Sequence, residues 1–392
     1  MTDVFLPSAD AKATSERLTR RIAAEIAAAG GFLPFARFME LALYAPGLGY
    51  YSAGAHKFGE AGDFVTAPEI SPLFGRTLAR QVAELIGDGL GDVLELGAGS
   101  GALAHDLLRE LAALDRNPRR YLILETSADL RQRQRQRLGA RAGATEIAWL
   151  DQLPVRFSGI VVANEVLDAL PVHLVRCNAG DVHESAASAD DIDELGVDFD
   201  ERHRTFVWRA RPAAGEVAAA ARALDLPSDY TTELHLAARG LVRSLGTMLE
   251  RGVMLFIDYG FPAREYYHPQ RNRGTLMCHY RHRAHDDPLQ LPGLQDITAH
   301  VDFSAIAAAA HEAELETLGY ATQAQFLINC GITDVLAETP ATDAAAYLPL
   351  AAAAQKLLGP AEMGELFKVL ALGRNFSAPL RGFHSGDRSA AL

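Results

Sequence analysis

The chain opens with two helical patterns and then changes to strand–turn–helix units. Thr14 or Ser15 is placed to cap a helix running to about Ala29, with Leu18, Ile22 and Ile26 on one face. Gly30-Gly31 ends it, and Pro34 suits the first turn of a second helix, Phe35 to Tyr44. A third helix is predicted from Leu73 to Ile86. From Asp92 onward, short apolar runs alternate with helical periodicity. Strands are predicted at 92–94, 121–124, 146–150 and 158–163, and helices at 102–113 and 130–138. Such alternation predicts an α/β fold with a mainly parallel central sheet.

The pattern then loosens. Residues 172–177 alternate as a strand, with 181–184, 195–198 and 205–208 as hairpin partners in an antiparallel insertion. Thr232 to Arg251 reads as one long helix with Leu236, Leu241, Leu245, Met248 and Leu249 apolar. Residues 252–258 read as a central strand, 296–303 as a further strand and turn, and 367–372 as the last strand after Ala-rich helices. From Phe376 the chain reads as a tail. The organisation expected is N-terminal helices and a site loop (1–91), a nucleotide-binding core (92–170), an insertion and helix (171–251), the remaining sheet with a lid (252–375) and the tail (376–392).

The chemistry concentrates where strands end. Glu95-Leu96-Gly97-Ala98-Gly99-Ser100-Gly101 joins a strand to a helix. Glycines there permit backbone shapes and close ligand approach that a Cβ forbids, and the helix that follows offers free N–H groups. Two cofactors fit such a turn, a dinucleotide and S-adenosylmethionine (AdoMet). Glu95, Gly97, Ala98, Gly99 and Gly101 are its candidate binding residues. Glu125 closes the second strand, where a carboxylate can accept hydrogen bonds from both ribose hydroxyls of an adenosine. Trp149 is placed either near the adenine or in the core. The fourth strand runs into Asn164-Glu165-Val166-Leu167-Asp168-Ala169-Leu170-Pro171, a polar run with no purpose in a dehydrogenase. That run favours AdoMet over NAD. Gly62-Asp63-Phe64-Val65-Thr66-Ala67-Pro68-Glu69 carries more hydrogen-bonding groups than a connector needs, which makes Gly62, Asp63, Thr66 and Glu69 site candidates.

Composition narrows the function classes. The 392 residues carry a net charge of −13, which speaks against a generic nucleic-acid binder. No apolar run approaches a membrane span. Cys177, Cys278 and Cys330 form no CxxC pair, and no secretory or transit pattern opens the chain, so a reducing, cytoplasmic setting is expected. His279, His282 and His285 lie three apart but are interleaved with arginines, and no metal site is expected. Arg131, Arg133, Arg135 and Arg137 spread around a helix and read as its solvated surface.

Taken together, the stretches 62–69, 95–101, 164–171, 257–260 (Ile-Asp-Tyr-Gly) and 273–276 (Arg-Gly-Thr-Leu) resemble the MidA-like methyltransferase family. The resemblance implies a Rossmann-like class I methyltransferase fold with added segments, and AdoMet as cofactor. For a mitochondrial member involved in complex I assembly it implies symmetric dimethylation of an arginine in a respiratory complex I subunit. A protein acceptor is therefore expected here, with arginine preferred. A guanidinium is a poor nucleophile with a delocalised charge, so it needs carboxylates to orient it. Glu165 and Asp168 are the first catalytic candidates, with Glu69 and Asp258, and also Glu233, as helpers. A non-catalytic AdoMet-binding assembly factor and a small-molecule methyltransferase are the competing readings, and an NAD-linked oxidoreductase ranks after them. An exposed apolar lid face would favour a homodimer.

Overall fold

Apolar residues along seven strands build a sheet that is buried on both faces. In a computed structural model, the described residues are 7–52, 66–139, 141–178 and 192–392, with only the backbone of 141–142. The seven main strands are β1 (Asp92–Leu96), β2 (Arg120–Leu124), β3 (Thr145–Leu150), β4 (Phe157–Asn164), β5 (Leu249–Phe261), β6 (Glu316–Thr322) and β7 (Phe367–Arg374). Their order across the sheet is β6-β7-β5-β4-β1-β2-β3. All run parallel except β7, which is antiparallel to both neighbours. Successive residues serve opposite sides. Val93, Ile160 and Val253 enter one core, while Leu94, Val161 and Met254 enter the other. Such two-sided burial explains why these strands read as continuous apolar runs.

The parallel topology fixes where ligands bind. The C-terminal ends of β1, β2 and β4 open on one crevice, the usual ligand position in an open α/β sheet. A second, five-stranded antiparallel sheet joins Leu33–Pro34, His173–Cys177, Ile192–Asp200, Thr205–Pro212 and Tyr230–Leu234. It packs against the N-terminal helices Ala9–Ala28 and Phe35–Tyr44 through Leu18, Phe38, Leu174 and Val197. The expected hairpin partner 181–184 lies outside the described residues.

Four expectations change. The first helix starts earlier, at Ala9, because Ser8 Oγ accepts from Ala11 N at 3.3 Å and caps it. The single helix expected over 232–251 is three elements: strand Tyr230–Leu234, helix Leu236–Met248 and the start of β5. Tyr230 to Leu234 pairs antiparallel with Cys177 to His173, so sheet pairing overrides the helical spacing. β6 was not read from the sequence; it pairs antiparallel with β7, and four helices follow it between 323 and 366. Finally, 376–392 is no loose tail. Phe376, Leu380 and Phe383 are buried, and Gly382 N donates to Gln81 Oε1 at 2.8 Å.

Candidate active site

The glycine turn takes its shape from left-handed backbone that only glycine adopts easily. Gly97, Gly99 and Gly101 have φ of 61°, 52° and 81°. A Cβ on Gly97 would lie 3.3 Å from Val166 Cγ2, so β1 and the end of β4 approach through a missing side chain. Gly101 caps helix Ala102–Ala113 and Gly97 N donates to Leu124 O at 3.1 Å. Gly97, Ala98 and Gly99 line a cavity of about 300 Å³ beside Glu95, Glu125 and Asn164. Gly101 shapes the turn without lining the cavity.

Glu125 directly follows β2 and lines the same cavity. Its Oε1 accepts from Ser127 N at 2.8 Å and its Oε2 from Gln134 Nε2 at 3.0 Å. Burial nonetheless pushes its acidity weaker than an ordinary glutamate. Gln134 also donates to Gly99 O at 2.9 Å and accepts from Trp149 Nε1 at 2.9 Å. Trp149 therefore braces the turn through Gln134, which the sequence reading did not single out. The arginine helix is likewise more than solvated surface. Arg137 Nη1 donates to Ser100 Oγ at 2.6 Å, and Arg131 pairs with Asp151 at 2.7 Å. Glu69 hydrogen-bonds Ser100 and lies 3.7 Å from Arg137, on the turn's side of the cavity, and Thr66 lines the same wall. Gly62 and Asp63 lie outside the described residues.

The polar run after β4 supplies the second half. Glu165 has a φ of 52°, a left-handed shape that costs a non-glycine residue about 1–2 kcal/mol. Its N–H donates to Ile257 O at 2.8 Å, and its Oε1 accepts from Asn164 Nδ2 at 3.0 Å and Ala67 N at 3.3 Å. Burial, reinforced by the charge of Asp168, pushes the Glu165 carboxyl up to about 8. Burial pushes Asp168 up to about 6, against a pull from the Tyr259 hydroxyl. Its Oδ1 is buried with no hydrogen-bond partner among the described residues. Both residues line the cavity.

Asp258 and Glu233 do not. Asp258 Oδ2 accepts from Leu167 N at 2.9 Å and Asp168 N at 3.2 Å, while its Oδ1 accepts from Tyr259 N at 3.0 Å. It fixes the 165–168 backbone from beneath. Glu233, fully buried, accepts from Thr275 N at 2.6 Å and Leu276 N at 3.1 Å. A Cβ on Gly274 would come within 2.3 Å of Glu233 Oε1, which explains the glycine in Arg273-Gly274-Thr275-Leu276. The sequence reading also passed over three lining residues. Tyr44 donates to Ala169 O at 2.8 Å, and Tyr51 donates to Asp296 Oδ1 at 2.9 Å. Their rings stack with centroids 5.5 Å apart. Only the Tyr44–Tyr51 cluster itself signalled them.

The lining decides between the two cofactors. Among the described residues it holds Glu69, Glu95, Glu125, Glu165, Asp168 and Asp296, and no lysine or arginine. That negatively charged lining suits a sulfonium cation better than a doubly negative pyrophosphate. Burial pushes Glu95 up to about 7 despite the 2.7 Å bond from the Tyr121 hydroxyl, as for a carboxylate that gains from a neighbouring cation. The sequence matches the S-adenosyl-L-methionine-dependent methyltransferase family over residues 73–321.

The chain belongs to that family.

A solved methyl-transferase candidate from Burkholderia thailandensis, bound to S-adenosylhomocysteine, is 53% identical with a TM-score of 0.92, and each chain covers 99% of the other. Curated relatives are a Drosophila melanogaster protein arginine methyltransferase NDUFAF7 homolog, mitochondrial, 29% identical over 93% of this chain and 87% of its own length, and the Danio rerio NDUFAF7, 29% identical over 92% and 88%. The chain is an AdoMet-dependent methyltransferase of Rossmann-like fold. The cytoplasmic expectation is corrected: the relatives are named mitochondrial, which overturns a location read from three unpaired cysteines and the composition of the first residues. Among the described residues no helix is long and apolar enough to cross a membrane, and no group of histidines, cysteines and carboxylates could hold a metal.

Proposed function

We propose that this methyltransferase modifies an arginine side chain of a protein, with Glu165 and Asp168 as the groups that hold the guanidinium. One observation carries the reading: a half-buried carboxylate, Glu165, and a buried one, Asp168, follow β4 three residues apart, both pushed toward neutrality, with an Asp168 oxygen that has no partner among the described residues. A guanidinium would supply both the missing positive charge and the missing donors in the fork geometry carboxylates match. The names of the curated relatives support the same acceptor.

Each part of the crevice then has a task. Gly97 to Ser100 and Glu95 hold the amino-acid end of AdoMet, Glu125 the ribose, and Glu69 with Thr66 closes the near wall. When bound, AdoMet supplies a methyl already activated on a sulfonium, which the acceptor nitrogen takes as the C–S bond breaks to leave a neutral thioether. Glu165 and Asp168 align that nitrogen and localise the guanidinium charge on the far side. The nitrogen sheds one proton, which the carboxylate pair receives and returns to solvent. Asp258 keeps the pair in register by holding the backbone at Leu167 and Asp168.

Isothermal titration with S-adenosylhomocysteine, with NAD as control, tests the cofactor half. Glu165→Gln tests the acceptor half, with a subunit of respiratory complex I as the first protein to try. Binding of the thioether with loss of transfer supports the proposal. Transfer at the wild-type rate in Glu165→Gln refutes it.

A further inference from the structure

A second cavity, about 420 Å³ in volume, meets the cofactor cavity at a shared wall of Glu165, Asp168 and Asp296. Tyr259, Thr298 and His300 form its sides. Met363 and Leu366, from the helical insertion between β6 and β7, also line it. Both volumes fall in the range of roughly 300–1,000 Å³ common to small-molecule sites. We propose that this second cavity is the port through which the methyl acceptor enters, and that Asp296 completes with Glu165 and Asp168 a three-carboxylate cup selective for its guanidinium. The inference rests on the arginine reading above and adds to it a route and a selecting residue.

Three observations carry it. First, Asp296 is buried and held in place, because its Oδ1 accepts from Tyr51 hydroxyl at 2.9 Å and from Ile297 N at 3.1 Å. Tyr51 thus fixes a carboxylate that faces both cavities. Second, the shared wall gathers three carboxylates while the exposed Lys356 is the one lysine or arginine among the cavity's described lining residues. His300 adds no opposing charge, since burial and the nearby cations hold its imidazole down to about 4. Third, away from the shared wall the lining includes Ile70, Met277, Met363, Leu366 and Phe367, apolar surface that suits the methylene stem of a long cationic side chain.

The test uses probes that need no knowledge of the natural acceptor. 5′-Deoxyadenosine is given, through a 5′-nitrogen, a guanidinopropyl, an aminopropyl or a plain propyl arm, and each is titrated calorimetrically against the full chain. The guanidine arm is expected to tighten binding at least tenfold over propyl, and the ammonium arm by clearly less. Asp296→Asn is expected to cut the guanidine gain to under threefold while leaving the propyl probe within twofold, which also shows that the variant folds. A gain unchanged in Asp296→Asn, or equal for both cationic arms, overturns the cup. A guanidine probe lengthened by a butyl group on its far nitrogen tests the route. Met363→Trp is expected to weaken the long probe at least tenfold and to spare the short one. Equal binding of the long probe by Met363→Trp and the parent overturns the port. If S-adenosylhomocysteine itself fails to bind, the reading beneath the inference falls with it.

Discussion

In the proposed reading, the cofactor half of the crevice comes mainly from neighbouring strand ends within residues 95–126, with Thr66 and Glu69 on its near wall, whereas the acceptor half gathers Tyr51, Glu165, Asp296, His300 and Met363 from nearly the whole chain. On the first side, short-range hydrogen bonds finish the work. Gln134 ties Gly99 to Glu125, and Arg137 ties Ser100 to the neighbouring helix. On the second side the carboxylates are placed by distant elements: Glu165 by Ala67 N and Ile257 O, Asp168 by Asp258, Asp296 by Tyr51. The cofactor half is a preset cradle. The proposed acceptor half gathers carboxylates of which burial pushes two, Glu165 and Asp168, toward their neutral forms.

The largest break between the halves is Glu165→Gln. Removing an acceptor-aligning charge costs on the order of 10³-fold in transfer rate. S-adenosylhomocysteine affinity, measured by titration, should stay within about threefold, because that change is confined to the other half. A parallel collapse of both would show that the halves are one unit. Glu125→Ala is the mirror image. Either ribose hydrogen bond to the carboxylate, at about 1.5–3 kcal/mol for a bond to a charged group, sets by itself an affinity loss of about 10–100-fold for the thioether. The rate at saturating AdoMet should be nearly unchanged.

The same comparison separates what the chain revealed from what it hid. The turn of Gly97 to Gly101 and the place of Glu125 at the end of β2 were legible because both are local features: a turn needs its glycines within a few residues, and a strand end is marked by the residue that closes it. Glu165 and Asp168 were legible as a motif, but their environment was not. That Asp258 points its oxygens at the backbone of 167–168 instead of the cavity depends on a strand pairing some ninety residues away in sequence. Asp296 and Tyr51 meet only after the sheets pack. Thr232 to Leu234 looked helical because apolar spacing cannot see a partner strand, and the pairing with His173–Cys177 decides it. Gln134 hid in plain sight: a glutamine among arginines on a helix looks solvated, yet it is fully buried.

A smaller effect sharpens the electrostatic side of the contrast. With Glu165 at about 8 and Asp168 at about 6 in the free protein, the pair is only partly ionised at neutral pH. Cation binding needs the charged form. kcat/KM should therefore rise about tenfold between pH 7 and pH 9, and Glu165→Gln should lose the upper part of that limb. Stability runs the other way. The folded-state value of Glu165 lies above its ordinary 4.5, so the native state holds its proton more firmly than the unfolded chain. That contribution is complete below pH 4.5 and is lost as pH rises toward 8. Tm of the ligand-free protein should fall over that interval, less steeply in Glu165→Gln. A flat kcat/KM profile across pH 7–9 would mean that the acceptor half is not held uncharged.

The smallest expected effect is also the finest test of the preset cradle. Gln134 accepts from Trp149 and donates to both Gly99 and Glu125. Gln134→Leu strands the indole N–H in a half-buried site, which costs about 1–3 kcal/mol of stability, and it frees the turn and the ribose carboxylate from one another. Adding Trp149→Phe removes the stranded donor. The double variant should recover most of the lost Tm but keep a several-fold weaker affinity for S-adenosylhomocysteine, since the tie between Gly99 and Glu125 is still missing. Stability and affinity then part company, as they must if local hydrogen bonds set the cofactor half. If affinity returns together with Tm, Gln134 acts only through folding, and the cofactor half owes its shape to the sheet alone.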